Sequence, residues 1–260
     1  MAARDVVHVE KRVAALVLTI DRPSAGNAVN LPTAEALLSA LASADDPDLR
    51  AIIITGSGDR FFCAGGDLKA YQMIETPELL ESTFGAVHKF LDALEECPLP
   101  VIAAINGYAL GGGMELALAC DLRFATRSAV VGLPQTRLGL IPGWNGVERL
   151  VETVGRSKAI NLLLKGERLD AAHAEQIGLL DLVVDGPVLK AALDYADSLQ
   201  EGAPLAVRAC KRAVLSALKL PRRDSQPVTS AIFEQLWFSA DHREAERAFI
   251  EKRNPIFRGE

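Results

Sequence analysis

The chain lacks several features that would place it in other classes of protein. None of its apolar runs approaches the roughly 20 residues that a membrane-spanning helix needs. Its first residues, MAARDVVHVE, do not show the charged-then-apolar pattern of a secretory signal. Its net charge of −6 has the wrong sign for a general nucleic-acid binder. We therefore expect a cytoplasmic protein with neither a membrane nor a nucleic acid as its partner.

Cysteine is also scarce. The four cysteines, Cys63, Cys97, Cys120 and Cys210, show no spacing typical of metal ligands, and each lies in an apolar context. We expect four reduced, buried thiols and no metal site, which also fits the cytosol.

The composition that remains is that of an ordinary globular protein. Hydrophobic residues make up 49% and charged residues 24% of the 260 positions, enough for one large core with or without an appended module. Apolar runs predict buried strands at residues 13–20, 51–55 and 101–105. Helical spacing predicts helices at residues 31–44, 77–94 and 112–119, and an all-helical end from residue 203 with a break near 219–223. This order predicts an α/β core followed by a helical tail.

The stretch AINGYALGGGMELALAC, at residues 104–120, combines features of a binding site. Three glycines, Gly111, Gly112 and Gly113, stand before a run that predicts a buried helix. The first N–H groups of a helix have no partner inside it and carry partial positive charge, which suits a developing oxyanion. Glu115 is the only charge in this run, so it is either paired structurally or handles protons in a cleft. Because buried carboxylates cluster at active sites, we favour the second interpretation.

A second loop, CAGGD at residues 63–67, has the same chemistry. Gly65 and Gly66 can present backbone N–H groups, and Asp67 is placed to cap a following helix. We expect the strand at 51–55 to lead into this loop as the strand at 101–105 leads into the glycine run. If the two strands are neighbours, two N–H donors converge on one oxygen, and each contributes about 3–4 kcal/mol to a transition state.

The segments FCAGGDLK and INGYALGGGMELALACDLR resemble the two signature segments of the crotonase family, the enoyl-CoA hydratase/isomerase superfamily. The similarity continues through LGLIPGWNGVERLVETVG to AFIEKRNPIF near the C-terminus. This resemblance implies an α/β fold, with a spiral of β-β-α turns in residues 1–195. It also implies a C-terminal helical region, residues 196–260, through which homotrimers form and pair into hexamers.

The same resemblance implies an acyl-CoA substrate and no cofactor beyond its CoA moiety. The thioester carbonyl would be bound by the N–H groups of Gly66 and Gly112. The positions that resemble CoA contacts are Ala64, Gly66, Asp67, Leu68, Lys69 and Lys252, the last of them reaching a neighbouring subunit. The alternative for both lysines is ordinary exposed surface charge.

One member of the family's catalytic pair is missing. Hydratases of this family carry two glutamates that share one water; Glu115 matches the first, but Gln135 stands in the place of the second. A glutamine has no titratable proton and only orients water or a substrate oxygen. The resemblance therefore implies that Glu115 is the single acid/base, and it argues against a fast hydratase or an isomerase that needs the second carboxylate.

Several functions stay open at this stage. The leading one is a hydratase-like lyase that acts on an acyl-CoA through an enolate. The alternative is a decarboxylase of a malonyl-type acyl-CoA, which needs only an oxyanion hole and one proton donor, and WNGVERLVE resembles that of ethylmalonyl-CoA decarboxylase-like members. There Trp144 would shape the acyl pocket or simply pack in the core. A hydrolase on the same fold and a non-catalytic CoA- or RNA-binding protein are further alternatives.

For the remaining candidates we favour ordinary structural roles. Packed or solvated helix positions are expected for Tyr71, Glu75, Glu81 and His88, surface or helix-end contacts for Glu148 and Arg149, and a structural role for Asp121.

Overall fold

The computed structural model describes residues 6–260. In this part of the chain the strands are β1 (Val7–Arg12), β2 (Ala15–Ile20), β3 (Ala51–Gly56), β4 (Phe61–Cys63), β5 (Val101–Ile105), β6 (Tyr108–Leu110), β7 (Leu122–Thr126), β8 (Val130–Gly132), β9 (Arg168–Asp170) and β10 (Leu182–Val184). The α-helices are α1 (Leu31–Leu41), α2 (Leu68–Tyr71), α3 (Pro77–Glu96), α4 (Gly112–Leu118), α5 (Gly146–Val154), α6 (Arg156–Lys165), α7 (Ala171–Gln176), α8 (Val188–Ser198), α9 (Pro204–Lys219), α10 (Arg222–Trp237) and α11 (Ala240–Glu251). None of these helices is long and apolar enough to cross a bilayer.

The strands form two sheets, and in each sheet the strands lie side by side in the order in which they occur in the chain. The larger sheet runs β1-β2-β3-β5-β7-β10 and the smaller one β4-β6-β8-β9. Each of the strand pairs β3/β4, β5/β6 and β7/β8 sends its first strand to the larger sheet and its second to the smaller one. These strands are parallel to their neighbours from the next pair. Successive turns of the chain therefore stack as a spiral, and the predicted α/β fold of β-β-α turns is confirmed.

The strands β2, β3 and β5 of the larger sheet are buried on both faces. On one face, side chains such as Leu18 and Ile52 belong to the main core, which also takes in α1, α3 and α4. On the other face, Val17 and Ile53 pack with α8. Covering on both sides explains why the strand at 51–55 is apolar throughout. The predicted domain boundary after residue 195 falls inside α8, and the division remains a prediction.

A lysine whose side chain is buried links the helical tail to the core. Lys211 on α9 lies 2.7 Å from the Asp121 carboxylate and donates to the carbonyl oxygens of Leu94 and Leu99 at 3.1 and 3.2 Å. Asp121 also accepts the Val101 N–H at 2.7 Å, which confirms its structural role. The predicted break near 219–223 separates α9 from α10. A second break was missed: α11 starts after Ser239, whose side chain accepts the His242 N–H.

Two predictions about the fold and the thiols need correction. The predicted strand at 13–20 begins only at Ala15, because Val13 takes a positive φ of 46° in a turn that joins β1 to β2. The strand β1 itself was missed, since it is exposed beyond its first residue and its polar sequence lacks a clear apolar alternation. All four cysteines are free, but Cys210 is exposed on α9 and Cys97 is half-buried; only Cys63 and Cys120 are buried.

Candidate active site

The two glycine loops emerge side by side because β4 and β6 are parallel neighbours in the smaller sheet. A Cβ atom built on Gly65, whose φ is +112°, would lie only 3.1 Å from the backbone nitrogen of Gly112. The predicted proximity of the loops is therefore confirmed, but the strands that lead into them are β4 and β6, not those at 51–55 and 101–105. Strands of three residues are too short to show periodicity in sequence.

The N–H groups of Gly66 and Gly112 stand at this junction. Neither donates a backbone hydrogen bond within residues 6–260. Gly112 is the first residue of α4, whose first N–H groups have no intrahelical acceptor. Gly66 pairs with Val29 as an isolated bridge, in which the flanking Gly65 carbonyl and Asp67 N–H make the bonds. Two donors are thus available at the meeting point of the loops.

Close packing around this junction requires glycine. A Cβ on Gly113 would lie 1.9 Å from the Cys63 carbonyl oxygen, and one on Gly112 would lie 2.4 Å from a ring carbon of Trp144. Both distances are far shorter than carbon atoms tolerate, so a side chain at either position would push the loops apart. Trp144, which is buried, therefore packs directly on the start of α4.

An ion pair holds the loop at residues 63–67 in place. Asp67 accepts from the Arg22 guanidinium at 2.8 Å and caps α2 by accepting the Ala70 N–H at 3.4 Å. The arginine lowers the pKa of the Asp67 carboxyl, with the bond from Ala70 adding to the effect. Arg22 also donates to the carbonyl of Ala28. The N-cap at Asp67 was predicted, whereas Arg22 was missed because it lies 45 residues away in sequence.

Glu115 projects from the first turn of α4 and is 2% exposed. One carboxylate oxygen, Oε1, accepts from Gln135 Nε2 at 2.9 Å. The other, Oε2, accepts the N–H groups of Trp144 at 2.7 Å and Gly146 at 3.1 Å. Burial raises the pKa of Glu115 above its ordinary value of 4.5, and these donors offset the rise only in part. A buried carboxyl group with a raised pKa is suited to both taking and giving a proton.

Gln135 reaches Glu115 from a 3₁₀ turn, Pro134–Leu138, that follows β8. Because β8 is the neighbour of β6, this turn lies beside the second glycine loop, and Gly111 N–H donates to the Gly132 carbonyl at 2.9 Å. The Gln135 side chain is 9% exposed. Its Oε1 has no hydrogen-bond partner among residues 6–260. The site therefore contains one buried acceptor, beside the carboxylate, that is available to a ligand.

Of the other predicted residues, Tyr71 contacts the loop at residues 63–67, whereas several others are exposed. Tyr71 is half-buried, with its ring against Gly66 and its hydroxyl donating to the Val29 carbonyl at 3.1 Å. The exposed positions at the turn from β4 into α2 are Ala64, Leu68 and Lys69. Lys252 is exposed at the end of α11 and takes no part in the hydrogen bonds of this site. Glu75 and Glu81 are exposed, as expected.

Two further side chains contact the loop that holds Glu115. Arg149, for which surface or helix-end contacts were predicted, is buried and donates to the Trp144 carbonyl, just before the start of α5, at 2.7 Å. His88 on α3 donates from Nε2 to the Gly143 carbonyl at 2.8 Å. Neither contact has a sequence signal, because each joins a side chain to a backbone carbonyl of a distant or irregular segment. The described residues contain no group of three or more His, Cys, Asp or Glu side chains that could hold a metal ion.

Two sheets that take alternate strands of the chain, adjoining glycine loops and a buried carboxylate are features of a crotonase-type α/β protein. A model of the enoyl-CoA hydratase/isomerase family matches residues 10–260, and the chain belongs to this family. It is 37% identical over 256 residues to the 2,3-dehydroadipyl-CoA hydratase of Escherichia coli, covering 98% of each chain. It is also 37% identical over 253 residues to an enoyl-CoA isomerase/hydratase of Mycosarcoma maydis, covering 93% of this chain and 92% of the other.

A solved structure shows the same fold. The enoyl-CoA hydratase from Bacillus anthracis superposes with a TM-score of 0.94 at 33% identity, over 98% of this chain and 100% of the other. The resemblance inferred from the signature segments is thereby confirmed.

Proposed function

We propose that this protein binds an acyl-CoA thioester and performs lyase chemistry on it, with Glu115 as the single acid/base. The N–H groups of Gly66 and Gly112 bind the thioester oxygen and stabilise the enolate that forms there. One observation carries the proposal: a buried carboxylate with a raised pKa lies one helical turn from an N–H group that has no backbone acceptor in the described chain. The names of the relatives, which are hydratases and isomerases of CoA thioesters, support the substrate class.

In the hydration direction, the protons of the proposed reaction balance. The water oxygen bonds to the β-carbon of a 2-enoyl thioester, and the π electrons move onto the thioester oxygen as an enolate. Glu115 takes the proton that water loses and then delivers a proton to the α-carbon, so the carboxylate ends as it began. The net change is the addition of one water across the double bond.

Gln135 has a defined part in this scheme. Its Nε2 donates to Glu115, and its Oε1 is a buried acceptor without a partner in the described chain. A water that donates one hydrogen to Oε1 and the other to Glu115 would be oriented for attack. This free acceptor is the specific observation that favours hydration.

Decarboxylation of a malonyl-type acyl-CoA is the second candidate. The bond between the α-carbon and the carboxylate breaks, carbon dioxide leaves, and its bonding electrons form the same enolate. Protonated Glu115 then gives its proton to the α-carbon and regains one from solvent. The presence of a single carboxylate, held by neutral groups, favours this reaction, because a second negative charge would repel the substrate's own carboxylate.

Exposed apolar residues that follow two segments of the site in sequence are suited to an acyl chain. Leu138, Leu140 and Ile141 follow Gln135 in the chain, and Met73 follows α2; all four are exposed. Ala64, Leu68 and Lys69, which are exposed between β4 and the start of α2, are proposed CoA contacts, together with Lys252 of a neighbouring subunit.

Assembly as a homotrimer or a hexamer is proposed on the basis of the tail. Its largest exposed apolar side chains include Phe249, which is 85% exposed, Ile250 and Phe238. Such a surface is unusual on a protein that remains a monomer. Light scattering coupled to gel filtration tests the assembly. The cytoplasmic location stays a prediction from the sequence pattern.

A panel of CoA thioesters with product identification tests the function. Crotonyl-CoA, 3-hydroxybutyryl-CoA and methylmalonyl-CoA are incubated with purified protein, and products are identified by mass spectrometry. We expect water to be added to or removed from the first two. Loss of carbon dioxide from the third alone would select the decarboxylase. A protein that neither binds nor changes any CoA thioester would contradict both; micromolar, salt-sensitive RNA binding would then favour the binding-protein alternative.

A further inference from the structure

The Glu115 carboxylate is held mainly by one short loop, residues 142–146. The N–H groups of Trp144 and Gly146 both donate to Oε2. A loop holds a carboxylate in one position only if its own peptide units are held in turn. The peptide groups of residues 142–146 therefore need partners on the side that faces away from Glu115.

His88 holds the first of these peptide units. Its Nε2 lies 2.8 Å from the carbonyl oxygen of Gly143. That carbonyl and the N–H of Trp144 belong to the same planar peptide group, which points its oxygen at His88 and its hydrogen at Glu115. Since a carbonyl only accepts, Nε2 must carry the hydrogen. A hydrogen bond to one end of a peptide group polarises it and strengthens the bond at the other end.

Arg149 holds the next peptide unit. Its Nη1 donates to the Trp144 carbonyl at 2.7 Å, while its other nitrogens contact Glu95 and, at 3.5 Å, Asp92 on α3. The guanidinium is buried and multiply bonded, so it anchors the loop to α3 as a structural group. His88 differs because it acts on the very peptide that donates the shorter bond to Glu115.

We propose that His88 is a positioning residue: through the Gly143–Trp144 peptide it orients the N–H that holds Glu115 for proton transfer. The proposal rests on the proposed role of Glu115 as acid/base. The groups in direct contact with Glu115 are neutral, namely the Gln135 amide and two backbone N–H groups. The charged groups around the loop are Arg149 on α5 and, on α3, Asp92 and Glu95; Lys219 of α9 pairs with Glu95 at 3.2 Å.

Two variants separate the hydrogen bond from the shape of the side chain. His88→Gln keeps an N–H donor of similar reach, whereas His88→Leu removes it. We expect His88→Leu to lower kcat about 3- to 10-fold, which corresponds to one ordinary hydrogen bond, with KM within about twofold. His88→Gln should recover most of this loss. His173→Leu, an exposed histidine on α7, is the matched control and should leave activity unchanged.

A second readout does not depend on turnover. Trp144 and Trp237 are the only tryptophans of the chain, so protein labelled with ¹⁵N-tryptophan gives two backbone amide signals. The Trp144 amide should titrate with Glu115, and Glu115→Gln should abolish that step. The midpoint should rise in His88→Leu, because a weaker N–H bond favours the protonated carboxyl, and should stay near the wild-type value in His88→Gln. Trp237 reports whether the fold is intact.

The outcomes are distinguishable. If His88→Leu and His88→Gln show the same titration midpoint of the Trp144 amide and the same kcat, the proposal is overturned. If the titration midpoint of the Trp144 amide shifts in His88→Leu but kcat does not change, the contact between His88 and the peptide is supported and its catalytic consequence is overturned. In contrast, full activity of Glu115→Gln would overturn the proposed function itself, whatever the histidine variants show.

Discussion

Replacing Glu115 with glutamine removes one charge from the site and changes its shape very little. The amide oxygen can take the place of Oε2 and keep the N–H groups of Trp144 and Gly146, which lie 2.7 and 3.1 Å from that position. The new NH₂ then faces Gln135, which turns its own amide so that its oxygen accepts. All three hydrogen bonds of the wild-type carboxylate thus have a neutral counterpart, and we expect the variant to fold.

The energetic comparison follows from the cause of the pKa shift. Burial is the largest influence on Glu115 and raises its pKa, and the surrounding hydrogen-bond donors do not fully compensate. A carboxyl group whose pKa is raised on folding destabilises the folded state at a pH where the group is ionised in both states, by about 1.4 kcal/mol for each tenfold change in its acid dissociation constant. The neutral amide does not carry this cost, so Glu115→Gln should be at least as stable as the wild type at pH 8. Activity should instead fall about 10²- to 10⁴-fold, the usual contribution of a general acid or base.

The pH dependence has a definite sign. Because the pKa of Glu115 is higher in the folded protein than its ordinary 4.5, the folded state binds more protons between the two values. Wild-type stability attributable to this group therefore falls as pH rises through that window. Below it, Glu115 is protonated in both states and the cost disappears. The stability advantage of the variant should accordingly grow as pH rises above about 4 and level off above the folded-state pKa of Glu115.

Urea unfolding at several pH values, together with turnover of the best thioester from the panel, measures both effects. Glu152→Gln, an exposed position on α5, is the matched control and should change neither quantity. Retention of more than a tenth of wild-type activity would show that Glu115 is not the acid/base. A variant clearly less stable than wild type at pH 8 would show that the donors to the carboxylate outweigh the cost of burying its charge.

The remaining substitutions test separate parts of the structure. Gln135→Glu places a second carboxyl beside the first and should raise crotonyl-CoA hydration at least about tenfold; no gain would mean that the pocket limits this reaction. Gly112→Ala forces a Cβ to 2.4 Å from the Trp144 ring and should cost about 1–3 kcal/mol in urea unfolding. Gly85→Ala, where nothing lies within 4 Å, should instead stabilise helix α3 by up to about 1 kcal/mol. Lys211→Met leaves Asp121 without its cation and should destabilise by about 3 kcal/mol, which the additional change Asp121→Asn should largely restore; a fully additive double variant would contradict that pairing.

Local sequence patterns were sufficient for the elements that carry strong periodicity or caps. The buried strand at 101–105 and the start of α3 at Pro77 lie where they were predicted, and Asp67 caps the following helix. The strands β4 and β6 were not predicted, since three residues have no measurable period. Yet these two short strands, by pairing in parallel, bring the glycine loops together.

For Glu115, too, sequence patterns indicated some features and the fold determined others. The residue pattern alone indicated that a lone carboxylate follows three glycines at the start of an apolar helix, and the family resemblance indicated that glutamine replaces the second glutamate. What surrounds the carboxylate depends on the folded chain, because its hydrogen-bond partners come from two other segments, the turn at Gln135 and the loop at Trp144. That loop is contacted in turn by His88 on α3, through the Gly143 carbonyl. Hydrogen bonds to backbone groups depend on the path of the chain and not on residue type, so no local pattern could have indicated them.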